Sequence, residues 1–358
     1  MTIEITFRRL SAQQLHDPQW RKPARVVAWL CGVQAQNPAW AQWSIGQRLY
    51  AGTSAVVERA IDQQCVVRTW AFRGTLHYVA ASDLPWLIPL LAPAITARNA
   101  RRYQQLGLDE STFAQSSQVI RDVLEPGQAL ARSTIGHALE DAGISAKGQR
   151  IYYLLQRSAL DGAVCLGPQQ GRQSTYLLTS HWIDTQAATN PRDPLAMLAE
   201  RYFGSHGPAT IQDFAWWSGL QVAAARQALS AVQTLVRVEV DGKTLWAAQE
   251  ALPEPGRCTA YLLGPYDAYL LGYADRSSAL NPSDTKRVNA GGGMPKPTII
   301  VDGKVAGTWK RSLKRNRIVV VLEPFRELSK AETEAIDQAA QRYGEFHARR
   351  AEIQWPGN

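Results

Sequence analysis

The hydrophobic and polar positions of this 358-residue chain repeat one order of elements, in which amphipathic helices precede strands that are joined by a turn. The clearest instance follows Gly207. Apolar residues in Ile211–Ser218 predict one face of a short helix that begins after Pro208–Thr210 and ends at Gly219. A second helix is predicted over about residues 221–233. Two short helices joined in this way are typical of a helix-turn-helix.

A tight hairpin is predicted directly after these two helices. Val236–Val240 and Thr244–Trp246 have the alternation of strands, and Asp241-Gly242 between them is a strong signal for a two-residue hairpin turn. A helix-turn-helix followed by a hairpin is the outline of a winged helix. We therefore predict one winged-helix unit here.

Two earlier stretches have the same outline with looser spacing. One has predicted helices over Ser133–Leu139 and Gly148–Leu160, with strands on either side of Gly171. The other has predicted helices between residues 25 and 61 and a strand pair that begins near Val66. The three predicted winged-helix units span residues 1–126, 127–195 and 196–256.

The last predicted portion, residues 257–358, is rich in strands and has a closing helix over Lys330–Ala348. Asp302-Gly303 is a further hairpin signal, and a long polar loop covers 275–297. The fold class is therefore predicted as α+β, with three tandem winged-helix units and a β-rich C-terminal portion. Its strand-like runs are Tyr261–Leu263, Ala268–Leu271, Thr298–Val301, Lys304–Trp309 and Ile318–Leu322.

Gln34 and Gln36 lie at a predicted break between two helices. Asn37 followed by Pro38 predicts the N-cap and the first position of the second helix. On a continuous helix, side chains two positions apart point about 200° away from each other, so only such a break lets both amides face one ligand. The alternative is structural, because amides also cap helix ends.

The overall charge favours an anionic partner. The net charge is +8, and most of the basic residues are arginine, which makes nucleic acid the first candidate. Charge alone supports the alternative equally well, namely that the arginine content has no connection with an anionic partner. The four cysteines are widely separated and no metal-binding histidine spacing occurs, so neither a metal nor a cofactor is predicted. No signal peptide and no apolar run of ~20 residues is present, which predicts a cytoplasmic protein without a membrane span.

Two segments contain candidate contacts to DNA. If Val67–Tyr78 is extended, period-two alternation places Arg73, Thr75 and His77 on one polar face, where they would contact a phosphate or a displaced base. An ordinary exposed strand face is the alternative. The second segment has five cations within eight residues. Binding to a row of DNA phosphates and an ordinary solvated turn explain this density equally well. These cations are Lys310, Arg311, Lys314, Arg315 and Arg317.

Five segments in the same order resemble the AlkZ/YcaQ family of bacterial winged-helix DNA glycosylases, and the likeness spans nearly the whole chain. The family fold, tandem winged helices around a concave basic channel, agrees with the predicted units. Gln34-Ala35-Gln36 is similar to the Gln-x-Gln signature of the AlkZ-like branch, whereas the broader YcaQ branch has Asp at the third position. The segments are 34–36, 73–77, 213–219, 272–276 and 301–309.

The resemblance implies a monofunctional DNA glycosylase that acts on N7-alkylguanine in double-stranded DNA. In the AlkZ-like branch it also implies unhooking of interstrand crosslinks or removal of bulky natural-product adducts. Gln34 and Gln36 would orient the attacking water. The implied enzyme acts as a monomer on alkylated purines and needs no cofactor. The residues expected to contact DNA are Arg73, Thr75, His77, Arg276, Lys304, Lys310, Arg311, Lys314, Arg315 and Arg317.

Two other classes of protein remain as alternatives at this point. A non-enzymatic transcriptional regulator assembled from winged helices would bind an undamaged duplex in a sequence-specific way and release no base. A protein-interaction module would show no steep salt dependence of DNA association.

Overall fold

The computed structural model is a mixed α/β structure that describes residues 2–171, 173–183, 188–240, 242–248, 258–289, 291 and 294–356. Its helices are α1 Thr2–Ala12, α2 Pro23–Trp29, α3 Pro38–Gly46, α4 Ser54–Asp62, α5 Leu84–Gln105, α6 Glu110–Leu124, α7 Arg132–Asp141, α8 Arg150–Leu160, α9 Thr179–Trp182, α10 Pro194–His206, α11 Ile211–Ser218, α12 Val222–Ser230, α13 Ala268–Leu271, α14 Thr285–Val288 and α15 Lys330–Phe346. Its strands are β1 Val33–Gln34, β2 Val66–Trp70, β3 Leu76–Ala80, β4 Leu130–Ala131, β5 Val164–Leu166, β6 Thr175–Leu178, β7 Leu235–Val240, β8 Lys243–Ala248, β9 Ala260–Leu263, β10 Thr298–Val301, β11 Lys304–Leu313, β12 Arg317–Pro324 and β13 Arg350–Gln354.

Three stretches of the chain have the same topology: helix, short strand, helix, helix, strand, strand. The first repeat is α2-β1-α3-α4-β2-β3, and the second repeat is α6-β4-α7-α8-β5-β6. The third repeat is α10, the bridge residue Ala209, α11, α12, β7 and β8. In each repeat the short first strand pairs antiparallel with the last strand, and Ala209 pairs with Trp246 of β8 in this way.

The helices and hairpins predicted for the three units are present in these repeats. The helix predicted over 211–218 has Thr210 as its N-cap, with a reciprocal capping box to Asp213, and ends at Gly219 with a φ of 79°. In the hairpin between β7 and β8, Asp241 lies outside the described residues, and Gly242 has the positive φ that its turn requires.

The first and second repeats share one sheet, which the sequence did not predict. Its strand order is β1-β3-β2-β5-β6-β4, and the two halves join where Arg68 of β2 faces Leu166 of β5 in an antiparallel pair. The boundaries after residues 126, 195 and 256 stay predictions. α6 packs against α7 and α8, which favours a first boundary before α6 rather than after residue 126.

The C-terminal portion is a five-stranded sheet with the order β13-β12-β11-β10-β9. The predicted hairpin at Asp302-Gly303 is confirmed, because these two residues have φ values of 46° and 79° and connect β10 to β11. The closing helix α15 packs on this sheet and ends at Phe346. The chain then returns as β13, which pairs in parallel with β12 and was not predicted.

The strand predicted over Ala268–Leu271 is wrong, because this segment is the helix α13. Asp267 accepts a hydrogen bond from the Tyr269 backbone N–H at 2.9 Å and so caps the helix. The Asp267 carboxylate also makes a buried two-point ion pair with Arg48, which follows the end of α3, at 2.7 and 2.9 Å. Burial raises the pKa of Asp267, but Arg48 and Ser44 outweigh it, so the pKa lies below its usual value.

Two large apolar cores lie on either side of the first repeat. One joins the first repeat to α5 and to the second and third repeats, through buried residues such as Phe72, Leu87 and Trp217. The other joins the first repeat to the C-terminal sheet and α15, through residues such as Val33 and Trp309. The segment that contains Gln34 and Gln36 is therefore held by packing on two sides.

Candidate active site

Gln34 and Gln36 lie on one face of an extended segment that joins α2 to α3. The chain leaves α2 through Cys31 and Gly32, whose φ values are 57° and 150°, and enters β1. The Ala35 N–H donates to the Leu76 carbonyl at 2.7 Å, so the extended pairing continues past the end of β1. Ala35 is completely buried, and its two glutamine neighbours therefore point to the opposite side.

The predicted break before α3 is confirmed. Asn37 is the N-cap, and its Oδ1 accepts from the Ala39 and Trp40 backbone N–H groups at 3.1 and 3.4 Å. The cap of this helix is thus supplied by Asn37 itself. The structural alternative, in which the glutamine amides cap the helix, is not what the structure shows.

Each glutamine amide is held in one orientation by a neighbouring donor. Gln34 is half-buried, and its Oε1 accepts from Arg73 Nη2 at 3.4 Å. Gln36 is exposed, and its Oε1 accepts from the Leu76 backbone N–H at 3.2 Å. Both partners can only donate, which assigns the carbonyl oxygen rather than the NH₂ group to each contact. A carbonyl oxygen has two lone pairs, so each amide retains an acceptor position for a water molecule.

Arg73 lies in the turn between β2 and β3 rather than on a strand. The turn, Phe72–Gly74, is a 3-10 segment in which Arg73 has a φ of 57°, so the alternation expected for an extended strand stops there. Arg73 Nη1 donates to the Trp217 carbonyl at 2.5 Å, and its guanidinium lies 4.7 Å from the ring centroid of Trp216. The expectation that Arg73 shares a strand face with Thr75 and His77 is therefore wrong.

Thr75 lies directly before β3 and His77 lies on it, next to the glutamines, and they are half-buried and buried, respectively. His77 faces Gln34 across the β1–β3 pairing and is only 4% exposed. Its Nδ1 lies 2.9 Å from the Thr75 carbonyl oxygen, and burial lowers the pKa of His77 to about 3. The imidazole is neutral at neutral pH, so the exposed polar face predicted for His77 is not present. Thr75 is half-buried, and its Oγ1 donates to the Phe72 carbonyl at 3.1 Å.

Arg276 comes from the C-terminal portion and meets Arg73 at Trp216. Its guanidinium lies 5.3 Å from the Trp216 ring centroid, and its Nε donates to the Tyr273 carbonyl at 3.3 Å. Trp216 itself is 37% exposed, which makes it one of the few large apolar side chains that face solvent. The sequence analysis did not identify Trp216. The available signal was the Trp216-Trp217 pair, because adjacent residues on a helix of 3.6 residues per turn point about 100° apart and cannot both face one core.

Arg98 of α5 completes this group. A Cβ placed on Gly219 would lie 3.3 Å from both Arg98 Nη2 and Arg73 Cγ, so the two side chains pass the same point. Burial, followed by the charges of Arg98 and Arg276, lowers the pKa of Arg73 to about 10. No carboxylate in the described part of the chain forms an ion pair with any of the three. We call Arg73, Arg98 and Arg276 the arginine cluster.

The cations predicted over 310–317 lie at the far end of the hairpin formed by β11 and β12. Lys310 pairs with Glu323 at 2.5 Å, and Arg317 pairs with Glu352 at 2.9 Å. The guanidinium of Arg311 lies 3.9 Å from the ring centroid of Trp40 in α3. The remaining two, Lys314 and Arg315, are exposed in the turn that follows β11.

Lys304 begins β11 and is exposed, at the opposite end of the strand from this turn. At about 3.4 Å per residue, ten residues of strand separate Lys304 from Lys314 by roughly 30 Å. The structure therefore does not bring Lys304 together with the other predicted cations. Among the described residues, no hairpin side chain hydrogen-bonds to Gln34 or Gln36.

Two further observations concern cofactors and membranes. Among the described residues, no group of three or more His, Cys, Asp or Glu side chains could hold a metal ion. In the same part of the chain, no helix has both the length and the apolar character of a membrane span.

The fold and the sequence place the chain among known DNA repair proteins. A solved structure, Streptomyces sahachiroi DNA glycosylase AlkZ, superposes with a TM-score of 0.82 at 23% identity, over 99% of this chain and 98% of that one. The interstrand DNA cross-link repair glycosylase of Streptomyces sahachiroi is 26% identical over 348 residues, which are 93% of this chain and 92% of that protein. The family description "DNA glycosylase AlkZ-like" matches residues 27–346. The chain therefore belongs to the AlkZ-like family of DNA glycosylases, as its sequence motifs predicted.

Proposed function

We propose that this protein is a monofunctional DNA glycosylase that hydrolyses the N-glycosidic bond of N7-alkylguanine in double-stranded DNA. The observation that carries the proposal is the glutamine pair, whose two amides face the same side with their carbonyl oxygens fixed by Arg73 and Leu76. Family membership supports the glycosylase activity. The name of the Streptomyces sahachiroi relative, an interstrand cross-link repair glycosylase, supports crosslinked or bulky adducts as further substrates.

The chemistry of an N7-alkylguanine suits a site of neutral amides. Such a base carries a positive charge, so the electron pair of the glycosidic bond neutralises it when the bond breaks, and no general acid is needed. The attacking water bonds through its oxygen to C1′ of the sugar and loses one proton to solvent. The catalyst must mainly place that water, and good positioning supplies ~7–11 kcal/mol in favourable cases.

The two amides are built for this placement. Their free lone pairs accept from one water molecule, while their NH₂ groups remain to donate to sugar or phosphate oxygens. His77 lies opposite Gln34 and is neutral, so it does not repel the positively charged, oxocarbenium-like sugar that forms in the transition state. Arg73 orients Gln34, because it donates to the Gln34 carbonyl from a fixed position on the Trp217 carbonyl.

The three repeats fit a DNA-binding role. We propose that they are winged-helix units around a concave basic channel, because each has a helix-turn-helix followed by a hairpin, and the net charge is +8. Arg73, Thr75 and Arg276 would contact the lesion strand near the glutamines. His77 would hold Thr75 in position through its contact with the Thr75 carbonyl oxygen. Lys304 and the hairpin cations over 310–317 would bind the backbone further away. The protein would act as a cytoplasmic monomer associated with the nucleoid.

The proposal is tested by replacing each glutamine in turn. Gln34→Ala and Gln36→Ala should each reduce single-turnover release of N7-methylguanine at least ~100-fold, because the water loses its fixed acceptors, while duplex affinity stays nearly intact. Mass spectrometry of liberated purine from methylated, mustard-crosslinked and bulky N7-adduct duplexes measures the release. Exposed Gln104 on α5 offers a matched control, since Gln104→Ala should change neither property.

Two results would count against this assignment. Lost affinity with unchanged turnover of the bound complex would show that the glutamines only bind DNA. Sequence-specific binding to undamaged duplex with no base release from any adduct would instead favour a non-enzymatic transcriptional regulator, which the family assignment does not favour.

A further inference from the structure

Three guanidinium groups from separate parts of the fold lie near one another, and two of them contact one exposed tryptophan. Arg73 comes from the β2–β3 turn, Arg98 from α5, and Arg276 from the segment after α13. The Trp216 ring lies under two of them, at 4.7 Å from Arg73 and 5.3 Å from Arg276. Such contacts orient a guanidinium and stabilise it by about 0.5–1 kcal/mol at exposed sites.

This grouping is electrostatically unfavourable in the free protein. Like charges disfavour one another, and the lowered pKa of Arg73 reports both its burial and its two cationic neighbours. Two other buried or half-buried arginines have carboxylate partners, Arg48 with Asp267 and Arg201 with Asp83. The arginine cluster has none among the described residues, so an anion from outside the chain would relieve its repulsion.

The cluster has hydrogen-bond donors that the described structure leaves unused. A guanidinium has five N–H groups, of which Arg73 uses two for the Trp217 and Gln34 oxygens. Arg276 uses one for the Tyr273 carbonyl, and exposed Arg98 makes no side-chain hydrogen bond within the described structure. The planar forks that remain match the oxygens of a phosphate group better than a point charge would.

We infer that Arg73, Arg98 and Arg276 bind one backbone phosphate of DNA directly beside the glutamine pair. The inference rests on the proposed function and names a group on its substrate. Arg73 joins the two sites, because the same guanidinium that faces the phosphate donates to Gln34 Oε1. A phosphate bound here would therefore fix the position of the adjacent sugar relative to Gln34, and Arg98, Arg276 and Trp216 are positioning residues.

The test is the salt dependence of duplex binding, measured by fluorescence anisotropy on an undamaged duplex between 50 and 200 mM salt. One lost phosphate contact lowers the slope of log affinity against log salt by about 0.9, so raising the salt fourfold weakens the variant about 3.5-fold less than the wild type. We expect the slope of the double variant Arg98→Gln/Arg276→Gln to fall toward this limit, because Arg73 is then the only cluster cation left at the phosphate. Arg98→Lys keeps the charge and should retain the slope.

Arg121→Gln provides the matched control, since Arg121 is an exposed arginine on α6 away from the cluster. It should leave the slope unchanged, and a change equal to that of the double variant would show a general charge effect and overturn the inference. An unchanged slope in the double variant, with normal thermal unfolding, would also overturn it. Displacement of DNA from the wild type, but not from the double variant, by inorganic phosphate at constant ionic strength would show a free-anion site instead.

The binding assay needs no lesion, so it separates this inference from the proposed function. Absence of base release by the wild type would refute the glycosylase assignment, but the salt slope would still test the phosphate site. Base release by the wild type together with an unchanged slope in the double variant would refute only the phosphate site.

Discussion

The arginine cluster and the β11–β12 hairpin are both cationic, yet their charges are arranged in opposite ways. The hairpin has five cations within eight residues, but Lys310 and Arg317 are paired with carboxylates. The cluster has three cations that come from different parts of the sequence. Two of them contact one tryptophan, and none has a carboxylate partner in the described structure. A dense run of charge is therefore a poor guide to where an anion is needed.

The difference lies in what already neutralises each cation. An exposed ion pair such as Lys310–Glu323 contributes little to stability, about 0–1 kcal/mol, but it lowers the local positive potential. The cluster lies against the Trp216 ring and the Trp217 carbonyl, which orient its members without cancelling their charge. We expect these two regions to respond differently when single cations are changed.

The largest effect is expected at Arg73, where charge and geometry can be separated. Arg73→Lys keeps the positive charge but cannot donate from one planar fork to both Trp217 and Gln34. Release of N7-methylguanine should therefore fall about 100-fold in single-turnover assays, because Gln34 loses its orientation. The salt slope of DNA binding should stay the same. Full activity in this variant would show that Arg73 contributes only its positive charge and that its hydrogen-bond geometry is not needed.

Local pattern was enough to predict the glutamine break but not the arginine cluster. Asn37-Pro38 fixes the start of α3 within a few residues, so the sequence placed Gln34 and Gln36 correctly before it. Trp216 and Arg98 reach Arg73 only because α11, α5 and the β2–β3 turn pack together over long sequence distances. No pattern among neighbouring residues predicts that these three elements pack together.

The same reason explains the errors in the predicted strands. Ala268–Leu271 has the apolar content of a strand, but Asp267 caps it as a helix and is itself held by Arg48, a residue 219 positions away. β13 follows α15 as a parallel partner of β12, a pairing that depends on where α15 ends rather than on the strand alone. Arg73 left the expected strand face because a turn interrupts the alternation.

The next effect concerns His77, the neutral imidazole opposite Gln34 on the neighbouring strand. His77 has a folded-state pKa of about 3 against an unfolded value near 6.5, so between these pH values the unfolded chain binds a proton that the folded protein excludes. Stability from this residue is complete above pH ~6.5 and falls by about 1.4 kcal/mol per pH unit below it. His77→Gln should flatten the pH dependence of chemical unfolding by one proton. An identical pH dependence in both proteins would contradict a buried neutral imidazole.

The smallest effect is expected within the hairpin, and it depends on pairing rather than on charge number. Lys314→Gln/Arg315→Gln removes two exposed cations that have no carboxylate partner in the described structure, and each lost phosphate contact should lower the salt slope by about 0.9. Lys310→Gln/Arg317→Gln removes the same formal charge, but Glu323 and Glu352 already neutralise these cations, so the change in slope should be smaller. Both double variants are compared by anisotropy on one duplex under the same salt series. Equal slopes would mean that the carboxylates exchange freely for phosphates on binding, and the hairpin would then act by its total charge, unlike the arginine cluster.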